Sequence, residues 1–360
     1  MRDDVGSRPV LVTGGAGFIG ANLADRLARE GHDVVVYDAL ARPGVERNLT
    51  WLQDRHGGRI RHVHADIRDT KRLQEEALAA EVVFHLAAQV AVTTSLLDPL
   101  DDFEVNIAAT VRLLDVLRVK GDGTPLIFAS TNKVYGDLAD LEFERVGDVY
   151  APVDPQVRAH GVGEDRPLDF HTPYGCSKGA ADQYVLDYSR SFGVPSAVLR
   201  MSCIYGQRQM GTEDQGWVAH FLIRALEEKP ITLYGDGYQV RDILDVEDAV
   251  DAYCRAWSRI DRISGRAFNL GGGSRNAVSL RVLLDYIGAL TGRRVAVDFA
   301  DWRQGDQRYF VADTRAAEAA LQLGAKRDWR EGVARLAGWL AEERGLTLSE
   351  AAPARARAAS

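Results

Sequence analysis

The first 130 residues alternate short β-branched runs with longer stretches in which apolar residues recur at helical spacing. Val10–Thr13, Val34–Tyr37, Ile60–His64, Val82–Leu86 and Leu126–Ser130 read as strands of a parallel sheet covered on both faces. That rhythm predicts consecutive βαβ units. It breaks at Gly136–Thr172, which is rich in proline and charge and reads as a long insertion or functional loop. A helical pattern then runs from Pro173 to Phe192, stops at Gly193-Val194-Pro195, and gives way to a strand at Ser196–Arg200.

Beyond Gln207 the elements are shorter and mixed. Ile231–Tyr234 is strand-like, and Leu280, Leu283, Leu284, Ile287 and Leu290 mark one helix face between the cap Ser279 and the stop Gly292. The expected architecture is α/β: a doubly wound parallel sheet over residues 1–200, interrupted at about 137–172, with a smaller mixed α/β lobe over 201–345. Some of the lobe's chain is expected to return to the core. Residues 346–360 read as a flexible tail, Ala/Arg-rich and without period at Ala351–Ser360.

Composition narrows the function. The chain has 360 residues, 46% hydrophobic and 27% charged, with 44 basic and 52 acidic side chains and a formal net charge of −8. Nucleic-acid and membrane-surface binding rest on a basic footprint that this balance does not supply. Cys176, Cys203 and Cys254 are too few and too scattered for a disulfide framework or a four-cysteine zinc site, and the eight histidines do not cluster at ligand spacing. No catalytic metal is expected. Met1–Val5 lacks a basic region and an apolar stretch, so the expected setting is a reducing cytoplasm, without a membrane anchor.

Gly14-Gly15-Ala16-Gly17-Phe18-Ile19-Gly20 follows the first strand and opens a helix that continues through Leu23 and Leu27. Glycines belong there because a dinucleotide pyrophosphate must reach backbone N–H groups at a helix start, where a Cβ would intrude. Asp38 closes the second strand at close to the spacing of the carboxylate that accepts from a ribose 2′-hydroxyl. A carboxylate there repels a 2′-phosphate, which favours NAD over NADP; Arg42 is a nearby cation that could offset it. Asp66, after the third strand, is a candidate for the adenine amino group.

Tyr174 and Lys178 stand four residues apart at the start of the long helix, on one face. A phenol of pKa about 10 is a poor base at neutral pH, and an adjacent ammonium stabilises its phenolate. The fifth strand ends in Ser130-Thr131-Asn132, where the crevice above the strand C-termini belongs. Thr131 could hydrogen-bond a reacting carbinol oxygen and share its proton with Tyr174, while the carbon-bound hydrogen leaves as hydride.

With Asp66-Ile67, His85-Leu86-Ala87-Ala88-Gln89 and Gln239-Val240-Arg241-Asp242 added, the chain resembles the extended short-chain dehydrogenase/reductases that act on nucleotide sugars, from about residue 9 to 340. The resemblance implies a Rossmann domain holding a tightly bound, recycled NAD and a C-terminal lobe holding a nucleoside diphosphate sugar. It implies Thr131, Tyr174 and Lys178 as the catalytic set. Gly14, Gly17, Phe18, Ile19, Gly20, Asp38, Asn48, Asp66, Ile67, Leu86, Ala87, Ala88, Gln89 and Ser130, with Tyr174 and Lys178, are the implied cofactor contacts. Asn106 matches a structural asparagine of the family.

Dehydratases of the family carry Asp-Glu directly after the threonine as an added acid and base; here Asn132-Lys133 stands there, which argues against dehydration. Ser130–Asp137, Phe170–Tyr184, Gly211–Val218 and Asn48-Leu49-Thr50-Trp51-Leu52 resemble the CDP-paratose (CDP-tyvelose) 2-epimerases. That resemblance implies transient oxidation at C2, inversion and re-reduction; a 4-epimerase or a uronic acid decarboxylase is the alternative, and a non-catalytic NAD(P) sensor a more distant one. Thr131, Asn132, Lys133, Cys203, Trp217, Arg241, Arg303 and Arg308 are the candidate substrate contacts, the arginines because a guanidinium can grip phosphate oxygens in pairs. Gln207-Arg208 and Cys203 depart from the common family pattern, which leaves the base and the sugar open. The family further implies a homodimer or homotetramer through helices Leu100–Leu117 and Pro173–Phe192, with Tyr184 and Tyr188 as aromatic area.

Overall fold

The computed structural model describes residues 8–346 and 348, apart from 294 and 304; the tail Ala351–Ser360 lies outside the described residues. Strands form where the apolar runs predict them: β1 (Val10–Thr13), β2 (Val34–Tyr37), β3 (Ile60–Val63), β4 (Val82–His85) and β5 (Leu126–Thr131). Every residue of β1, β2, β4 and β5 is buried, as expected of parallel strands covered by helices on both faces.

The insertion is not the irregular loop expected. It folds into a hairpin of β6 (Phe143–Val146) and β7 (Val149–Pro152), then a short helix, Pro155–His160, capped by Asp154. Its strands escape the hydrophobic pattern because Glu144–Val146 face solvent. Contacts that fasten it to the distal lobe include the Tyr150 amide on Tyr238 O at 2.9 Å, the Val162 amide on Val311 O at 2.7 Å, and a parallel bridge from Val162 to Ala312.

The remaining strands are β8 (Ser196–Met201), β9 (Cys203–Tyr205), β10 (Ile231–Tyr234), β11 (Val240–Asp245), β12 (Arg266–Leu270), β13 (Ala277–Ser279), β14 (Val297–Ala300) and β15 (Tyr309–Phe310). The main sheet runs β3-β2-β1-β4-β5-β8-β12, all parallel. Its order reverses between β1 and β4, and the crevice above that reversal is where open α/β sheets bind ligands.

The 201–345 stretch contributes to several cores. Phe268 and Leu270 of β12, Val250 and Tyr253 of the helix Val246–Ser258, and Ala317 and Leu321 pack with Val10, Val12 and Leu27. Phe221, Leu222, Leu283, Ile287, Val333 and Leu336 form a separate cluster. Thus β12, which lies within the 201–345 stretch, completes the main sheet. The helix predicted over Leu100–Leu117 spans Pro99–Lys120 and includes a π-turn at Glu104–Ala108. Such turns insert one extra residue and gather at functional sites. This one presents the buried Asn106.

Candidate active site

The glycine turn is built for close approach. Gly14 has φ +68, and a Cβ on it would lie 2.8 Å from the Ala87 nitrogen; one on Gly20 would lie 2.2 Å from Gly14 O. Side chains at either position would force apart β1, the loop after β4 and the helix Phe18–Arg29. The helix's N-cap, Gly17, has no side chain to occupy the first N–H groups, which stay available to an anion. At the end of β2, Asp38 accepts from the Ala16 amide (3.0 Å) and the Leu40 amide (2.9 Å). Its carboxylate is thereby oriented at the mouth of the turn, a donor set that fits the diphosphate and unphosphorylated ribose of NAD. Arg42, the cation that could have favoured a 2′-phosphate, donates to Gln215.

Several of the implied cofactor contacts also bond to the scaffold. Asn48 is 1% exposed and donates to Ala16 O and Arg208 O, both at 3.1 Å, so it braces the turn from behind. Asp66 is engaged by Arg68 through the amide (2.8 Å) and guanidinium (2.8 and 2.7 Å), which holds its carboxyl below the usual range. Ser130, 1% exposed, donates to Asp182 at 2.7 Å beneath the sheet's end. Leu86 and Ala87 continue β4 and donate to Thr13 O (3.1 Å) and Thr13 Oγ1 (3.2 Å). His85 stands between Thr13 (2.8 Å) and Thr110 (3.0 Å), and burial pushes its pKa down to about 3, so the imidazole is neutral.

Thr131, Tyr174 and Lys178 converge, at 8%, 9% and 4% exposure. Thr131 ends β5 and Tyr174 lies in the first turn of the helix Thr172–Phe192, its amide donating to Ser95 Oγ at 3.1 Å. Lys178 places its ammonium 4.2 Å from the centre of the Phe128 ring. Burial pushes the phenol up to about 12, opposed by the neighbouring Thr131 hydroxyl, and pushes the ammonium down to about 7, opposed by Asp182 and Asp102. Both groups are therefore neutral over much of the alkaline range, and a further positive charge in the crevice would favour the phenolate.

Two buried polar networks support this trio; the sequence motifs single out Asn106, Gln89 and Ser130, but not Asp102, Ser177, Asp182 and Arg200. Asn106 donates to Ser177 Oγ (3.0 Å), Gln89 O (3.0 Å) and Asp102 Oδ1 (3.2 Å), while Gln89 donates to the same Asp102 oxygen at 3.1 Å. Asp182 receives two bonds of 2.9 Å from Arg200 as well as the Ser130 hydroxyl, at 0% and 5% exposure for the ion pair. Its signal was present: Asp182 is the carboxylate one turn past Lys178, and Arg200 sits in an otherwise apolar strand.

Across the crevice, Lys133 donates through Nζ to Gly305 O at 2.9 Å, and Asn132 donates to Gln307 at 3.3 Å. Arg241, 8% exposed, is paired with Asp306 at 2.6 Å. Cys203 and Trp217 border this group, and burial pushes the Cys203 thiol up. Arg303 lies 3.7 Å over the Tyr234 ring and donates to Glu213 O at 3.2 Å. Arg308 does not join them. It is exposed, 5.7 Å from the Tyr150 ring centre, because side chains alternate around 307–309 and it is Gln307 that turns inward. Asp137, Asp169 and His171 also meet, with ligand atoms within 4.8 Å of one another, a cluster the spacing of the histidines did not reveal. No helix among the described residues is long and apolar enough to cross a membrane.

A seven-stranded Rossmann sheet, a glycine turn and a Thr–Tyr–Lys set define a class, and the chain belongs to the NAD dependent epimerase/dehydratase family, whose model matches residues 10–271. Within it, the chain is 41% identical over 338 residues to the CDP-paratose 2-epimerase of Salmonella typhi, covering 92% of this chain and 98% of that one. Among solved structures it is similar to the UDP-glucose 4-epimerase of Thermotoga maritima with UDP-glucose (TM-score 0.79, 28% identity, 93% and 99% of the two chains). It is equally similar to the UDP-glucuronic acid 4-epimerase of Bacillus cereus in complex with UDP-glucuronic acid and NAD (TM-score 0.79, 28% identity, 93% and 99%).

Proposed function

We propose that this chain is a NAD-dependent epimerase that inverts C2 of a CDP-linked deoxyhexose. The observation that carries this reading is the complete Thr131, Tyr174 and Lys178 set beside Asn132-Lys133, where neither residue is a carboxylate able to drive elimination. The 41% identity to a CDP-paratose 2-epimerase supports the base and the carbon. Tyr174 accepts the proton of the carbinol hydroxyl, with Thr131 holding that oxygen and Lys178 stabilising the phenolate. NAD, when bound in the glycine turn, supplies the hydride acceptor and donor and a positive charge that favours ionised Tyr174. After the sugar presents its other face, Tyr174 returns the proton, so the residues end each turnover as they began.

A panel of CDP-, UDP-, GDP- and dTDP-sugars deuterated at C2 or C4 tests the reading. Transient C2 label in the cofactor and a C2-inverted product are expected; label taken from C4 alone would assign the chain to the 4-epimerases, the activity named for the two solved structures above.

The same reading carries a homodimer or homotetramer. Leu97 and Leu100, 86% and 78% exposed, with Phe103, Val119, Tyr184 and Phe192, leave apolar area on the helices around Pro99–Lys120 and Thr172–Phe192. Light scattering on the purified protein reads the mass. Free thiols at Cys176, Cys203 and Cys254 fit a cytoplasmic enzyme.

A further inference from the structure

The cofactor site is bounded by the helix Phe18–Arg29, the loop after Asp38 and the helix Val45–His56, and the segment 206–216 touches all three. Asn22 donates to Gln207 O at 3.0 Å. Asn48, whose amide holds Ala16 O in the glycine turn, donates equally to Arg208 O at 3.1 Å. Met210 lies against Gly44, where an added Cβ would meet its Cγ at 3.0 Å, and Gln215 accepts from Arg42. Arg208 itself has φ +69, a left-handed conformation that a long side chain adopts only where its surroundings impose it. Those surroundings come from both domains. The guanidinium is 4.1 Å from the centre of the Trp51 ring and 5.4 Å from that of Trp339, with Glu343 at 3.7 Å. Its Nε is buried without a hydrogen-bond partner among the described residues, so the ring faces carry much of the hold. Trp51 belongs to the cofactor side, Trp339 and Glu343 to the helix Trp329–Glu343 of the distal lobe, and Arg47 pairs with the same Glu343.

We propose that residues 206–216 form a strap on the adenosine end of the cofactor site, and that Arg208 is a positioning residue whose stack between Trp51 and Trp339 keeps the strap fastened and NAD in place between turnovers. The inference rests on the reading above, in which one cofactor serves successive turnovers. An epimerase of that kind hands the hydride back to the sugar it came from, so release of the reduced cofactor in mid-cycle would strand a ketone. For the dinucleotide to leave, the loop after Asp38 or the glycine turn has to move, and each is tied to the strap, by Arg42 and by Asn48. Moving either one strains the stack as well as these bonds. The two domains thus oppose release together.

The test adds an excess of isotopically labelled NAD to the purified, NAD-loaded enzyme and follows exchange by mass spectrometry of the cofactor released on denaturation. Arg208→Met keeps an apolar stem and loses the stack; Asn22→Ala loses only the bond to Gln207 O. Loss of a desolvated cation–π stack corresponds to exchange about 5- to 30-fold faster, and loss of a neutral hydrogen bond to about 2- to 10-fold. Dilution should strip activity from Arg208→Met and added NAD should restore it, a rescue that a loss of packing alone would not give. Exchange at the parent rate in folded Arg208→Met would overturn the proposal and leave Arg208 an ordinary contact between domains. If that variant does not fold, parent-rate exchange in Asn22→Ala overturns it instead. A parent enzyme that trades its NAD at every turnover would overturn the reading of a recycled cofactor, a failure visible without either variant.

Discussion

The two walls of the crevice are held together in different ways. On the cofactor side the determinants are local and lie in the backbone: glycines without a Cβ, a helix start without a cap, and strands that pair with near neighbours in sequence. On the sugar side they are side chains reaching across more than 170 positions, as in Lys133 to Gly305 and Asn132 to Gln307. A backbone device tolerates almost no substitution at its few positions and great freedom elsewhere. A side-chain device can be retuned one residue at a time.

The largest expected effect belongs to neither wall. Tyr174→Phe removes the proton acceptor and should lower kcat by about 10²–10⁴ while leaving NAD and cytidine diphosphate binding intact, as read by released cofactor and calorimetry. On the cofactor wall, Gly20→Val drives a side chain into Gly14 O, and the purified variant is expected to carry no NAD. Retained cofactor would show that the turn yields more than its geometry allows. On the sugar wall, Arg241→Met leaves Asp306 without its partner; KM should rise about 10- to 100-fold with NAD content unchanged.

A smaller effect concerns Lys178, whose pKa of about 7 in the fold lies below its ordinary value of about 10.4. Between these values the unfolded chain binds more protons, so stability rises with pH across the window. Lys178→Met should flatten that rise and raise the urea midpoint at pH 7 while abolishing turnover; an unchanged slope would contradict the burial argument. The smallest effect is Arg308→Ala, expected to change KM less than about twofold because the side chain is exposed.

The contrast also explains what could be read in advance. Strands β1, β2, β4 and β5 were legible because buried parallel strands are continuous apolar runs, and Thr131 and Tyr174 because they stand at a strand end and a helix start, with Lys178 one turn on. The hairpin Phe143–Pro152 was not, since its exposed face erases the alternation. Arg308 and Gln307 could not be told apart, because a one-residue choice of face carries no mark in composition. Asn48 and Ser130 were placed by family position and Asp66 by its place after the third strand, and their hydrogen bonds to Ala16, Asp182 and Arg68 depend on contacts that spacing alone does not encode.

The edge position of β12 has a consequence for synthesis. Its partner β8 ends at Met201, yet β12 does not begin until Arg266. As the chain leaves the ribosome, β8 waits with one row of N–H and C=O groups unpaired until more than sixty further residues have emerged. An open parallel edge is a template for wrong partners. A product cut short before Arg266 would keep the glycine turn and the Thr–Tyr–Lys set in its sequence and still be prone to aggregate.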